Sequence, residues 1–235
     1  EFARAVDFLA ENTSFACIDI NMGCPVRKVV NSGSGAALMR DLKLAREIIE
    51  ITVAKSPAPV TVKFRLGWDA RELNFIELGQ IAEQAGAAAV TLHPRTRAQA
   101  YAGRSDWPKI KELKQALKIP VIASGDVKSR ADFLAVQAQT GCDAVMLGRA
   151  AIGNPWLFAE CAASLPAVVS RGERIAVCLE HTRRLLAYKP DNEAKTIAEM
   201  RKFAARYING FSGARELRQK INTLKTYAEL EKLLS

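Results

Sequence analysis

The sequence lacks several features that mark particular classes of protein. Its five cysteines include no CxxC pair, it has only two histidines, and no apolar run approaches the roughly 18 residues of a membrane span. Neither a secretory leader at the start nor a GxGxxG dinucleotide fingerprint can be found. We therefore expect reduced thiols and a cytoplasmic protein without a metal site or a membrane segment.

The overall composition is ordinary for a globular protein, but the positive charge is distributed unevenly along the chain. The 235 residues are 49% apolar and 25% charged, with a net charge of +9. Residues 171–235 hold 14 basic and 8 acidic side chains, whereas the first 170 hold 20 and 17. A basic tail suits a polyanionic partner, and it equally suits a solvated helical surface. Because residue 1 is Glu and a helical pattern has already begun there, we expect the chain to start inside a longer protein.

Short apolar runs alternate with helical patterns through the first 160 residues. The runs are nearly unbroken and β-branched, as strands buried on both faces are. They are Ala16–Asn21, Val60–Arg65, Ala88–His93, Pro120–Gly125 and Ala144–Arg149. The helical patterns between them are Leu38–Val53, Phe75–Ala85, Trp107–Leu117 and Arg130–Gln139. This rhythm predicts an α/β fold with a parallel sheet.

The residues at the carboxyl ends of these runs help to distinguish a closed barrel from an open sheet. A (β/α)₈ TIM barrel has eight strands in roughly 250 residues, and it places its chemistry at the carboxyl ends of many strands. An open doubly wound sheet binds ligands mostly at one switch point. All five runs end in a polar residue or a glycine. We therefore favour a TIM barrel of which this chain holds the last five strands.

The tail has a different pattern from the rest of the chain. Three amphipathic helices are predicted at Glu173–Tyr188, Glu193–Ile208 and Ala214–Leu234, separated by Pro- and Gly-containing breaks. The predicted domains are thus residues 1–160, the barrel part; 161–172, a linker; and 173–235, an all-α helical domain.

Two residues near strand ends are candidates for chemistry. Cys24 lies in a loop between glycine and proline, with Arg27 and Lys28 nearby, and is either an inert thiol or a positioned proton donor. Lys63 lies inside an apolar strand, where a charge needs a partner. That partner is either a neighbouring carboxylate such as Asp19, or an anion, carbonyl or electron-rich ring bound at the strand end.

The later strand ends suggest a phosphorylated ligand. His93 is followed by Arg95 and Arg97, which indicates binding of a phosphate or a ring. Glycine turns end the next two strands, and such turns let the backbone approach an anion closely. Barrels often bind phosphate in the loops after strands seven and eight. The turns are Ser124-Gly125-Asp126 and Gly148-Arg149.

Five segments, in this order and spacing, resemble the tRNA-dihydrouridine synthases, and most closely a bacterial B-type member. They are IDINMGCP, VTVKFRLGW, VTLHPRTR, PVIASGDV and AVMLGRAAIGNPW. The resemblance covers essentially the whole chain and implies an FMN-binding TIM barrel followed by a helical tRNA-binding domain. It also implies an oxidoreductase that is re-reduced by NADPH. The family's first three strands have no counterpart here. We expect a monomer without an obligate protein partner.

The resemblance also implies a role for each matching residue. The catalytic acid falls on Cys24. The cofactor-binding positions fall on Lys63, His93, Ser124, Gly125, Asp126, Gly148 and Arg149. The positions that face the uridine or the RNA are Asn21, Arg27, Lys28, Arg65, Arg95, Arg97, Arg201, Lys202, Arg206, Arg215 and Arg218.

The implied reaction reduces the C5=C6 bond of a tRNA uridine to 5,6-dihydrouridine. Hydride from reduced FMN goes to C6, and Cys24 gives a proton to C5. Lys63 stabilises negative charge on the reduced flavin. The uridine must first be extruded from the folded RNA.

Two other functions remain open at this stage. One is a flavin dehydrogenase for a free pyrimidine, of the dihydroorotate or dihydropyrimidine type, although the basic tail argues against a free base as substrate. The other is a tRNA-binding fragment without catalysis.

Overall fold

The computed structural model describes residues 1–162 and 169–235; part of the predicted linker, residues 163–168, lies outside the described residues. The chain forms two compact units, one of residues 1–127 and 131–147 and the other of residues 128–130 and 148–235. Each unit has a hydrophobic core of its own. The predicted domain limits at 160 and 173 stay predictions.

The first unit is built on a parallel sheet whose five described strands follow chain order. They are β1 (Ile18–Asn21), β2 (Val60–Arg65), β3 (Ala89–His93), β4 (Val121–Ser124) and β5 (Ala144–Met146). The register pairs Asn21 with Lys63 and Arg65 with His93, so the polar strand ends are neighbours. A doubly wound sheet would reverse its strand order at a switch point. Because this order never reverses, it confirms the predicted α/β fold class with the strand sequence of a barrel.

Helices alternate with these strands and bury many of the apolar residues that the pattern predicted, whereas Leu134 is 44% exposed. They are α1 (Phe2–Asn12), α2 (Arg27–Asn31), α3 (Leu42–Lys55), α4 (Phe75–Gln84), α5 (Pro108–Ala116) and α6 (Arg130–Thr140), with a 3₁₀ segment at Gly35–Arg40. Val62 and Phe64 of β2 are fully buried with Ile49 of α3 and Leu78 of α4. Burying each such side chain stabilises the fold by about 1.5–3 kcal/mol. Helix α3 begins later than predicted because Asp41 accepts a hydrogen bond from Leu44 N and caps it.

The second unit is helical throughout its described secondary structure. After a 3₁₀ turn at Arg149–Ala151 come α7 (Leu157–Ala162), α8 (Arg171–Tyr188), α9 (Glu193–Tyr207), α10 (Ala214–Ile221) and α11 (Tyr227–Leu234). Its core includes Cys178, Met200, Ala204, Ile208 and Ile221. In the described parts of the chain, no helix combines the length and the apolar character needed to cross a membrane.

The prediction of a single helix at Ala214–Leu234 is wrong, because the chain forms α10 and α11 with a break between them. The hydroxyl of Thr226 accepts a hydrogen bond from Glu229 N, and the Glu229 carboxylate accepts one from Thr226 N. This reciprocal capping box starts a new helix. Arg201 donates to the Leu224 carbonyl within the break. The continuous apolar stripe therefore comes from two short helices rather than one.

Candidate active site

The loop after β1 holds Cys24 through backbone contacts. Asn21 Oδ1 accepts a hydrogen bond of 3.0 Å from Gly23 N, which tightens the turn. The Cys24 carbonyl accepts from Ala36 N at 3.1 Å. Gly35 has φ +60°, and a Cβ there would lie 2.8 Å from the Cys24 oxygen, so only glycine lets the 3₁₀ segment close behind the cysteine. The half-buried thiol is thus fixed in place while remaining partly accessible.

Arg65 ties this loop to the loop after β3. Its side chain is buried, with the residue 2% exposed. Nε donates to the Gly23 carbonyl at 2.7 Å, and Nη1 donates to the carbonyls of Thr96 and Ala100 at 3.0 and 2.8 Å. Its guanidinium carbon also lies 5.7 Å from the centre of the Tyr101 ring. Arg65 was predicted to face RNA, but the structure surrounds it with carbonyl oxygens of two site loops.

Lys63 lies two residues before Arg65 on β2, so both side chains are on the same face of the strand. Burial lowers the pKa of its ammonium, the positive charge of Arg65 lowers it further, and Asp19 and Cys24 act in the opposite direction. The carboxylate of Asp19 accepts a hydrogen bond from Thr61 Oγ1 at 2.7 Å. No described residue hydrogen-bonds or ion-pairs with Lys63 Nζ. The two predicted roles were pairing with a carboxylate such as Asp19 and binding of a ligand at the strand end. This arrangement favours the second role.

His93, at the end of β3, is buried beside Arg95. Arg95 Nη1 lies 3.1 Å from His93 Nε2. Burial is the main reason that the pKa of His93 falls to about 3, and the charges of Arg65, Lys63 and Arg95 add to the effect. His93 is therefore neutral at physiological pH. Arg95 was predicted to face RNA, yet it is 1% exposed.

The turn after β4 completes this cluster. Asp126 Oδ2 accepts from Arg95 Nη2 at 2.6 Å and from Ser105 N at 2.8 Å. Although burial raises the pKa of the Asp126 carboxyl, the bonds from Ser105 and Arg95 lower it overall. Gly125 has φ +111°, and a Cβ there would overlap Ser105 Oγ and lie 2.7 Å from the His93 ring. Its carbonyl accepts from Trp107 Nε1 at 3.0 Å.

The remaining predicted residues of the first unit lie at the edges of this group. Arg27 and Lys28 are exposed at the start of α2. Arg97 stacks on Trp68, with its guanidinium carbon 4.5 Å from the ring centre, and its Nε is buried without a hydrogen-bond partner. Arg40 contacts the same ring at 4.9 Å. Arg97 is therefore held by an aromatic side chain that the sequence reading missed.

A basic cleft lies in the second unit, where Gly148 and Arg149 also belong. Its volume is about 460 Å³. Four cations line it, against one carboxylate, together with two amides and an indole: Lys128, Arg149, Arg174, Arg206, Glu160, Asn154, Asn209 and Trp156. Arg174 Nη1 donates to the Asn209 carbonyl at 2.8 Å, which anchors one wall. This excess of positive charge suits a phosphate group.

The predicted tail residues divide into exposed and engaged side chains. Lys202, Arg206 and Arg215 are exposed. Arg201 donates to a backbone carbonyl, as described above, and Arg218 Nη2 donates to Asn209 Oδ1 at 2.6 Å. The structure therefore leaves the first three more available to RNA than the other two.

Sequence reasoning missed several residues around the predicted positions of the first unit and in the cleft of the second unit. Ser105 and Trp107 hold the turn after β4, Tyr101 faces Arg65, and Lys128 and Arg174 line the cleft. The segment Ser105-Asp106-Trp107-Pro108, which leads into α5, carried the signal of a helix start, with proline in the first turn. Nothing in that local signal indicates that its side chains reach a distant strand end.

Comparison with known proteins gives consistent matches. The profile of the family described as "Dihydrouridine synthase (Dus)" matches residues 1–235. The chain is 42% identical over 227 residues to the probable tRNA-dihydrouridine synthase of Mycobacterium leprae, covering 93% of this chain and 59% of that protein. It is 41% identical over 219 residues to tRNA-dihydrouridine synthase B of Pseudomonas aeruginosa, covering 88% and 64%. The chain thus spans roughly three fifths of the length of these curated relatives.

Proposed function

Since the chain belongs to the dihydrouridine synthase family, we propose that it reduces the C5=C6 bond of a tRNA uridine, using FMN as cofactor and NADPH as reductant. The supporting observation is that Cys24, Lys63 and His93 share one edge of the parallel sheet. The hydrogen bonds of Arg65 link the loop of Cys24 to the loop that follows His93. A thiol, an unpaired ammonium and a neutral imidazole are thereby held near one another.

The residues present fit a flavin. Among the described residues, the ammonium of Lys63 has no partner and the neighbouring imidazole of His93 hydrogen-bonds to Arg95 alone, so both retain capacity for a ligand. Lys63, His93 and the turn at Ser124, Gly125 and Asp126 would hold the cofactor, with Gly148 and Arg149 as further proposed contacts. FMN, when bound, supplies a hydride to the pyrimidine ring.

The chain's own residues bind the RNA and deliver the proton. Cys24 Sγ donates a proton at C5 of the uracil, so its thiol must be protonated at turnover. Asn21, at the same loop, would orient the base. The exposed cations Arg27 and Lys28, the basic cleft and the exposed cations of α9 and α10 would bind phosphates around an extruded uridine.

Replacement of Cys24 by alanine tests the proposal. The variant should still be reduced by NADPH when loaded with FMN, while dihydrouridine formation in tRNA falls by about 10²–10⁴-fold, the usual contribution of a positioned acid. Single-turnover assays of both half-reactions, with mass spectrometry of the tRNA, measure this split. Cys17→Ala, which removes an exposed thiol, is the matched control and should change neither half-reaction.

Other outcomes would contradict the proposal in distinct ways. Full tRNA turnover by the Cys24→Ala variant would remove Cys24 from the mechanism. Activity on free uracil or orotate, with none on tRNA, would support a free-pyrimidine dehydrogenase. A protein that retains no FMN yet shifts tRNA in a gel would support a non-catalytic RNA-binding role.

A further inference from the structure

Arg95 uses every hydrogen-bond donor that it has within the first unit. A guanidinium carries five N–H groups and no acceptor, and it stays protonated in proteins. The five acceptors are Ala102 O at 3.1 Å, His93 Nε2 at 3.1 Å, Ser105 Oγ at 2.9 Å, Gly103 O at 2.7 Å and Asp126 Oδ2 at 2.6 Å. No N–H of Arg95 is therefore left for an RNA phosphate, and each N–H is committed to one acceptor.

This arrangement decides which nitrogen of His93 carries a proton. Since Arg95 can only donate, His93 Nε2 must accept and must be unprotonated. A neutral imidazole with a bare Nε2 holds its proton on Nδ1. Among the described residues, Arg95 is the one hydrogen-bond partner of the His93 ring, so Nδ1–H has no protein acceptor.

We propose that Arg95 is a positioning residue that fixes His93 as the neutral Nδ1–H tautomer. The ring then offers an N–H donor, rather than a cation, to an acceptor atom of the ligand bound at the carboxyl edge of the sheet. The identity of that ligand rests on the proposed function, whereas the tautomer rests on the hydrogen bonds of Arg95 alone.

The surroundings of His93 oppose any alternative in which the ring is charged. Three cations face it, Arg65, Lys63 and Arg95, against the carboxylate of Asp126. Position 125 is a glycine beside the ring, where a Cβ would lie 2.7 Å from Cδ2 and 3.1 Å from Nε2, so a larger residue there would displace the imidazole from Arg95. A proton on Nε2 would point at a guanidinium N–H and would lose a buried acceptor.

The chain itself offers a direct spectroscopic test, because it contains only two histidines. Long-range ¹H–¹⁵N spectra of the labelled full chain, without flavin or RNA, report the protonation of each ring nitrogen. The variant His181→Gln assigns the two spin systems. At pH 7 we expect the His93 signals of a protonated Nδ1 and a bare Nε2, unchanged down to pH 5.

Variants of Arg95 separate its role from general support of the fold. Arg95→Met removes the donors, and the His93 signals should shift toward the Nε2–H tautomer or toward exchange between tautomers. Arg95→Lys keeps a donor and should restore the Nδ1–H pattern. Arg97→Met, which removes a cation two positions along that has no contact with His93, is the matched control and should leave the pattern unchanged.

The wild-type spectrum decides the matter even if Arg95→Met does not fold. A protonated Nε2 at pH 7, whether in the neutral ring or the imidazolium, would overturn the proposal. So would an unchanged Nδ1–H pattern in a folded Arg95→Met variant. Because these spectra need neither FMN nor tRNA, failure of the tautomer proposal is distinct from failure of the proposed function.

Discussion

Two cations on one strand illustrate how the partners of a residue decide its role. Lys63 and Arg65 are two positions apart on β2, so their side chains leave the same face of the sheet. Arg65 donates to three carbonyl groups and holds two loops together. Lys63 has no such partner among the described residues. The first side chain supports the site, and the second is available to a ligand at a cost in stability.

Replacement of Lys63 by methionine should therefore stabilise the protein in the absence of ligand. Removing a half-buried, unpaired charge should raise the free energy of unfolding at pH 7 by on the order of 1 kcal/mol, or about 2–4 °C in Tm for a chain of this size. Lys109→Met, at a partly exposed side chain that is paired with Glu112, is the control and should change stability by less than about 0.5 kcal/mol. Thermal unfolding followed by circular dichroism measures both.

The pH dependence of this gain has a defined sign. The pKa of Lys63 is lowered in the folded protein from its ordinary value of 10.5, so the unfolded chain binds the proton more tightly. The penalty is complete below the lowered pKa and is relieved as the pH rises from there toward 10.5. The advantage of Lys63→Met should thus shrink in alkaline buffer. A variant less stable than the parent at pH 7 would mean that the ammonium has a stabilising partner in solution.

At the scale of elements, glycines let loops close against one another at the carboxyl edge of the sheet. Between β2 and α4, Gly67 and Leu73 form an isolated antiparallel bridge, and Trp68 N donates to Glu72 O at 3.0 Å. This hairpin presents Trp68 to Arg40 and Arg97. Its closure depends on Gly67, whose φ is +154° and where a Cβ would overlap the Glu72 carbonyl.

Substitution of Gly67 by alanine should consequently be far more costly than a substitution at an open glycine. We expect a loss of about 3 kcal/mol, because backbone strain is joined by a clash with main-chain atoms that cannot rotate away. Gly141→Ala is the matched control: φ there is +67° and no atom lies within 4 Å, so only strain of about 1 kcal/mol is expected. Equal losses in denaturant titrations would show that the hairpin yields to the added methyl group.

For the whole molecule, net charge would govern the proposed encounter with RNA, and local geometry would govern where phosphates bind. The chain carries +9, with +6 of it in residues 171–235. Long-range attraction depends on the total, and it is screened by salt. The cleft of the second unit adds a place where several cations converge on one volume.

The salt dependence of tRNA binding should distinguish these two contributions. If about six phosphates are neutralised, affinity should fall roughly 10³-fold between 50 and 200 mM salt. The double variant Arg174→Ala/Arg206→Ala should lower the log–log slope by about 2. Arg183→Ala/Arg184→Ala makes the same change in charge at side chains that pair with Glu180, and should change the slope little. Equal effects of both pairs in filter-binding titrations would show that total charge alone matters.

The sequence by itself determined the elements and the chemical types at their ends. Unbroken β-branched runs predicted the five described strands to within three residues at each end, because a buried strand needs that composition. Cys24, Lys63 and His93 stand out in the sequence because a thiol, an ammonium and an imidazole are unusual at the ends of buried strands, and their roles stay predictions. The third tail helix could not, since the apolar stripe continues through the capping box at Thr226 that divides it.

Only the tertiary structure decided which polar side chains are engaged by the rest of the fold and which stay available. Arg65 and Arg95 look like RNA contacts in the sequence, as Arg27 does, because residue type carries no information about burial. In the folded chain the first two are surrounded by carbonyl and side-chain acceptors from distant loops, whereas Arg27 remains exposed. Such acceptors lie far apart in sequence, so a hydrogen-bond network like that of Arg95 is determined only when the strands and their loops come together.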